Sequence, residues 1–475
     1  MIGIYLILAF AIALGLYFNR NERVTIGLLL TFVALQTGLT VHAALNHHQH
    51  ELGYFTYDSL GLLLLVVLSV LTIPALLHSH IYLNEQPAPP QARSIYYASM
   101  VLLITAIGAG YLANHIAVTW IFTELTTLSA SALIYHHRNK LALEGTWKYV
   151  FVCAISITFV FIGILFLSLS MNHAHAEDMS FGNLIRHSHE LNPFWLRLAF
   201  LFIFTGFTAK MGLVPMFTAG VDAKDKAPAP AGALLSSALM NLGFIGIFRT
   251  YTIIANTELK TWAAMVMGIS ALLSLLVATV YMIKVKNIKR MMAYSSIEHM
   301  GLVMLAMAAG GVGYYAAILH IVLHSLVKPS LFFQFTQLYR VFKSKSIYQT
   351  GNYFRYNPTG AMVLLLGFIS ATAMPPSGLF VSEFLIFKSL VQGGHFIVLG
   401  LVLLLLTIII WAFGKNIFKI LFIPPVGFND AHVPSISPRE SLSQFILLAS
   451  AIYLGLNPPA VLVNLINDCL SNLPV

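Results

Sequence analysis

Apolar runs of about 18 or more residues, separated by short polar stretches, recur from Ile2 almost to the C-terminal end of the chain, and each is long enough to cross a bilayer core as one helix. Fourteen such segments can be drawn, near residues 2–18, 24–45, 57–83, 95–112, 116–135, 149–169, 195–217, 231–251, 261–283, 291–309, 314–339, 361–391, 396–422 and 442–463. No charged stretch precedes the first run, so it reads as a retained helix rather than a cleavable signal. Segments 4 to 8 and 9 to 13 start from opposite sides, the parity of an inverted repeat. Gly212 and Pro215 interrupt segment 7, and Pro375, Pro376 and Gly378 interrupt segment 12. Breaks of this kind free backbone groups that neighbouring residues or a hydrated cavity must satisfy. The pattern predicts an all-α integral membrane protein of one domain. Helices 1–3 fall in residues 1–94, a first repeat of helices 4–8 in 95–251, a second repeat of helices 9–13 in 252–422, and helix 14 in 423–475.

Composition narrows the function. With 58% hydrophobic and 9% charged residues among 475, the chain is not a soluble enzyme. Its net charge of +9 is not a nucleic-acid signal, because the basic residues cluster in short loops between apolar segments. If the N-terminus lies outside the cytoplasm, nineteen Lys and Arg residues fall in the alternate loops that face it and five on the opposite side. The positive-inside rule then places both termini outside, in a cell inner membrane with the lipid bilayer as solvent. The two cysteines, Cys153 and Cys469, form no paired-thiol spacing, so a Cys-ligated iron–sulfur centre or structural zinc lacks ligands. No cofactor, metal or redox centre is expected in this chain.

Within the apolar segments stand Glu124, Lys210, Glu298, His299, His320, His324, Lys328 and Glu383. An ionisable group at the bilayer centre costs several kcal/mol and marks an ion or proton path by default. Glu124 and Lys210 can form a buried pair in which movement of one charge makes the other hold or release a proton; the alternative is a static pair that orients two helices. His320, His324 and Lys328 follow at i, i+4 steps, a single stripe suited to a relay with bridging water. Two other readings remain open there: a metal site, for which the stripe offers no carboxylate, and histidines bonded to backbone carbonyls. Glu383 follows the segment 12 break and could be an exit group. Glu298 and His299 adjoin a basic loop and could be half exposed and interfacial. Glu144 is closer still to a loop, either a further relay group or a solvated carboxylate. The loop histidines 47, 48, 50, 173, 175, 187 and 189 fit no standard metal site. Asp222, Lys224, Asp225 and Lys226 are expected to form an exposed mixed-charge connection.

The motifs "TEL" around Glu124, "AKMGLVPM" around Lys210, "APAPAGALLSSALMNLGFIGIFR", "IKRMMAYSSIEHMG", "HSLVKPSLFF" and "PPSGLFVSEF" resemble the antiporter-like, proton-translocating membrane subunits. That family is shared by respiratory complex I, Mrp sodium/proton antiporters and group 4 [NiFe]-hydrogenases. "AYSSIEHMG", "ELTTL" and "EGTWKY" are most similar to the F component of hydrogenase-4. The resemblance implies fourteen helices with broken helices 7 and 12. It also implies that Glu124, Lys210, His324, Lys328 and Glu383 translocate protons. Two positions depart from the family. Asn241 stands where relatives usually carry a segment 8 lysine, and Phe217 where a histidine is common.

The resulting expectation is a proton-translocating subunit, with sodium as the alternative ion, of a multisubunit membrane redox complex of the hydrogenase-4 or formate-hydrogenlyase type. Its partners would be the other membrane and peripheral subunits, which carry the redox chemistry. A driving change at Glu124–Lys210 would pass through Asn241 and water to His324 and Lys328 and leave near Glu383. The rivals are an Mrp-type Na+/H+ antiporter subunit, a complex I membrane subunit, and a membrane scaffold without ion flux.

Overall fold

The computed structural model describes all residues except 87, 172–177, 426–427, 429–432 and 475. The loop histidines 173 and 175 therefore lie outside the described residues. The chain is helical nearly throughout; a two-strand hairpin pairs His50–Glu51 with Phe55–Thr56. Ten described helices are long and apolar enough to cross a membrane, or eleven if the bent pair Pro438–Leu456 and Ala460–Cys469 counts as one span. The expected fourteen is not reached on that measure, in part because Ile2–Phe18 and Pro358–Ala371 are apolar but shorter. Large apolar side chains such as Phe10, Leu30, Phe151 and Ile397 project outward, the surface that lipid rather than water solvates. This is a multi-pass membrane protein.

The chain forms two compact units, one comprising residues 1–231, 238–266 and 461–475, the other 232–237 and 267–460.

In the first unit, asparagines set the starts of two helices that carry or flank candidate residues. Asn139 caps Lys140–Ser170 by accepting from the Ala142 amide, and Asn192 caps Pro193–Met211 by accepting from those of Phe194 and Trp195. The second helix stops at Gly212, whose φ of 82° only glycine adopts without strain, and Pro215 prevents its continuation. The two helices pack backbone to backbone: a Cβ on Gly206 would stand 2.4 Å from the Ser156 carbonyl oxygen, the close approach small residues permit in membranes. The Trp120 indole N–H donates to the Ile157 carbonyl and ties Ile116–Ile134 to the same assembly. Arg249 clamps the other side. It donates to both carboxylate oxygens of Asp58, at 3.0 and 2.9 Å, and to the carbonyls of Tyr111 and Ala113.

The second unit is built around Val312–Phe342, whose membrane-length window is wholly buried. Ile288–Ala309, capped by Asn287, Gly378–Gln392 and Leu442–Leu456 pack on it. Pro329 lies inside this helix and has no N–H to return to the preceding turn. Beyond it, Gln334 and Asn357 donate to the Tyr353 hydroxyl at 2.7 and 2.9 Å, which seals one end with polar contacts.

Candidate functional site

The first unit brings Glu124 and Lys210 together, though not as a direct ion pair. Lys210, 6% exposed, donates through Nζ to the Thr127 hydroxyl at 2.7 Å, and that hydroxyl donates to Glu124 Oε2 at 3.3 Å. Thr127 lies three residues after Glu124 and so shares its helical face. The Tyr149 hydroxyl accepts from Lys210 at 3.5 Å, and the Tyr149 ring lies 5.5 Å from Nζ. Cys153, one turn beyond Tyr149, completes the pocket and is hydrogen-bonded to both. A Cβ on Gly243 would stand 2.5 Å from the Met211 amide nitrogen, so only glycine lets Ala238–Ala255 reach the backbone beside Lys210. Asn241, two residues earlier, is fully buried and hydrogen-bonds with the Tyr111 side chain. Its amide holds a hydrogen-bonded position but cannot carry a proton near neutral pH.

The expected exposed connection at 222–226 is corrected. Lys224 and Asp225 are each 2% exposed, because Thr218–Lys226 folds as a helix against the start of Lys140–Ser170 rather than running through solvent. Asp225 pairs with Lys226 at 3.0 Å, whereas Lys224 directs Nζ to the Met240 sulfur at 3.1 Å. Lys224 lies between two spans, and burial pushes its amine down to about 7. Glu144, by contrast, is exposed and pairs with exposed Lys148 one turn on.

In the second unit the same arrangement recurs. Lys328 donates to the Ser295 hydroxyl at 2.6 Å, and Ser295 hydrogen-bonds with Glu298 three residues on. Both lysines thus meet a hydroxyl that lies one turn from a glutamate. The expectation that Glu298 and His299 are half exposed is overturned: they are 3% and 0% exposed, since Ile288–Ala309 turns their face onto Val312–Phe342. His299 Nδ1 and His320 Nε2 are 3.0 Å apart, His320 Nδ1 lies 2.9 Å from the Ser382 hydroxyl, and His299 Nδ1 lies 3.9 Å from Glu383 Oε1. The ring centroids of His299 and His324 are 5.2 Å apart.

These histidine contacts therefore link three helices, Ile288–Ala309, Val312–Phe342 and Gly378–Gln392. The reading in which His320 bonds to backbone carbonyls gives way to side-chain partners at both nitrogens. The carboxylate missing from the stripe also exists, supplied by Glu383 from Gly378–Gln392. Side-chain donors of His299, His320 and Glu383 all lie within 4.8 Å of one another, so this trio could hold a metal as well as a proton. A second trio, His47, His48 and Asp468, meets the same distance at the surface.

Sequence reasoning missed Thr127, Tyr149, Ser295, Ser382 and the burial of Lys224. For Thr127 and Ser295 a signal was available: each stands three residues from an intramembrane glutamate.

A family profile described as "NADH:quinone oxidoreductase/Mrp antiporter, TM" matches residues 113–409. A "Hydrogenase-4 component F homolog" of Methylacidiphilum infernorum (isolate V4) is 28% identical over 424 residues, covering 86% of this chain and 87% of that protein. Among solved structures, a chain of the membrane-bound sulfane sulfur reductase, an archaeal respiratory membrane complex, superposes with a TM-score of 0.85 at 19% identity, covering 99% of this chain and 96% of the other. A chain of the Mrp complex from Dietzia sp. DQ12-45-1b gives a TM-score of 0.84 at 16% identity, with the same coverage of both.

Proposed function

The chain belongs to the NADH:quinone oxidoreductase/Mrp antiporter family of membrane subunits, and from that premise we propose that it moves protons as one subunit of a hydrogenase-4-type membrane redox complex. The observation that carries this reading is the repeated lysine–hydroxyl–glutamate array, Lys210–Thr127–Glu124 in one unit and Lys328–Ser295–Glu298 in the other. A static ion pair is best served by direct contact, which maximises Coulomb attraction. A hydroxyl placed between amine and carboxylate weakens that attraction and supplies a group that donates and accepts at once, the requirement for handing a proton on. In the second unit, His299 and His320 extend the array towards Ser382 and Glu383 with imidazoles, which can accept a hydrogen bond at one nitrogen and donate one at the other.

In this reading a partner subunit, where electron transfer occurs, displaces charge at Glu124, and Lys210 releases or takes up its proton in response. Lys224, on the segment that the loop charges assign to the cytoplasmic side, exchanges protons with that side. Asn241 keeps hydrogen-bonded continuity without carrying charge. The proton leaves the second unit near Glu383. Both chain termini lie outside the cytoplasm, and no cofactor is needed in this subunit because it performs no redox step.

Purification of the chain from its native membrane, with identification of the proteins that copurify, tests the assignment of the host complex. The expected partners are [NiFe]-hydrogenase-like and ferredoxin-like subunits. Copurification with small Mrp-type subunits alone, and flux driven by a sodium gradient without an electron donor, would replace this reading with antiport.

A further inference from the structure

Three donor groups that play no part in the buried arrays converge at the surface of the first unit. His47 and His48 lie in the link between the helices Glu22–Leu45 and Ser59–Glu85, and Asp468 lies near the end of Ala460–Cys469. His48 Nε2 is 3.2 Å from Asp468 Oδ2, and His47 Nε2 is 2.8 Å from the Ser59 hydroxyl, which itself donates to Asp468. Consecutive residues on extended backbone point to opposite sides. Here His48 has φ of 66°, and the two rings stand side by side with centroids 3.8 Å apart. Left-handed backbone is uncommon for a residue with a side chain, and in this link its effect is to aim both imidazoles at one carboxylate.

We infer that His47, His48 and Asp468 form a binding site for a divalent transition metal of the zinc class, which fastens the C-terminal helix to the link between the second and third helices of the chain. Two imidazoles and one carboxylate, with a fourth position left to water, suit Zn2+ and disfavour Mg2+ or Ca2+, which take oxygen ligands. Ligand atoms bound at ~2.0–2.1 Å in a tetrahedral site lie about 3.3 Å from one another. One donor from each side chain already lies within 4.8 Å of the others. The remaining closure is small, and the two most exposed members can make it: His48 and Asp468 are 58% and 41% exposed. On binding, His47 exchanges its bond to Ser59 for the metal, while Ser59 continues to orient the carboxylate, the usual support for a ligating side chain. The geometry has a second consequence. Metal binding would link segments from opposite ends of the chain and stabilise their contact, because ligand binding to the folded form always does so.

The test is Zn2+ binding by the full chain in its native complex, stripped with a chelator and titrated in competition with a chromophoric chelator. The wild-type chain should bind Zn2+ at a site whose affinity falls tenfold or more in His48→Ala and in Asp468→Asn and is unchanged in His50→Ala. Metal-free melting temperatures of all four proteins should agree, which separates ligand loss from misfolding. Co2+ in place of Zn2+ should give the visible absorption of a tetrahedral nitrogen–oxygen site in the wild-type chain, a reading that needs no variant. Absence of that absorption, or equal Zn2+ affinity in wild type, His48→Ala and Asp468→Asn, would show an ordinary hydrogen-bonded contact and overturn the inference.

Discussion

Replacing Thr127 by valine removes one hydroxyl and keeps the branched shape, so it isolates the bridge between Lys210 and Glu124. The lysine and carboxylate can be no more than 6.0 Å apart, the limit set when the 2.7 and 3.3 Å legs are laid end to end. At an effective dielectric constant of ~20, a full charge pair at that separation still attracts by about 3 kcal/mol. Thr127→Val leaves this through-space term in place and deletes only the hydrogen-bonded connection. A hydrogen bond to a charged group is worth ~1.5–3 kcal/mol, and each 1.36 kcal/mol in a barrier is tenfold in rate. Proton transfer should therefore slow by roughly 10- to 150-fold. Thr127→Ser, which keeps the hydroxyl, should retain most of the wild-type rate. The assay is dye-reported proton uptake by proteoliposomes containing the whole complex, compared at matched electron-donor turnover. In a double-mutant cycle with Glu124→Gln the two losses should not add, because each breaks the same chain. Wild-type pumping by Thr127→Val, with Glu124→Gln inactive, would show that coupling is purely through space and refute the bridging role.

Three further outcomes follow from the geometry. Ser295→Ala should impair pumping while Ser295→Thr preserves it, since Lys328 donates to this hydroxyl at 2.6 Å; equal flux in Ser295→Ala and wild type would exclude the bridge in the second unit. Lys224, pushed down to about 7 by burial, is mostly protonated below that pH and mostly neutral above it, so flux should be greatest near neutrality; Lys224→Arg, which stays charged, should abolish it across the pH range, and an unchanged pH profile would remove Lys224 from the path. Arg249→Met should destabilise the protein by about 2–3 kcal/mol, less than the ~3–5 of a fully buried pair because solvent reaches Asp58, with the Asp58 side chain 34% exposed; thermal unfolding in detergent checks this, and an unchanged melting temperature would show that the clamp is not structural.

Helical fold and buried charge are legible in the sequence because the bilayer makes both extreme. A span needs a long apolar run, and a Lys, Glu or His inside one stands out against it. Glu124, Lys210, His320, His324, Lys328 and Glu383 are visible for that reason. Which hydroxyl meets which lysine is decided by packing between helices, and Thr and Ser are too common in membrane helices for Thr127 or Ser295 to be singled out by type alone. Lys224 is hidden by a different effect. Four charged residues among five read as solvated, and only the docking of a short helix on the Lys140–Ser170 segment buries two of them. Proximity to a basic loop likewise suggests exposure for Glu298 and His299, but the helix they stand on faces inward. The trio of His47, His48 and Asp468 is out of reach of the sequence because Asp468 stands far along the chain from the adjacent histidines.

Whether this subunit carries protons on buried lysines is read from the number of protons moved per electron pair by the reconstituted complex. Lys210→Ala and Lys328→Ala complexes that assemble with their partners and keep electron transfer should each lose proton translocation from that ratio. A ratio unchanged in both, in complexes of confirmed composition, would contradict the account and leave the chain as a membrane scaffold.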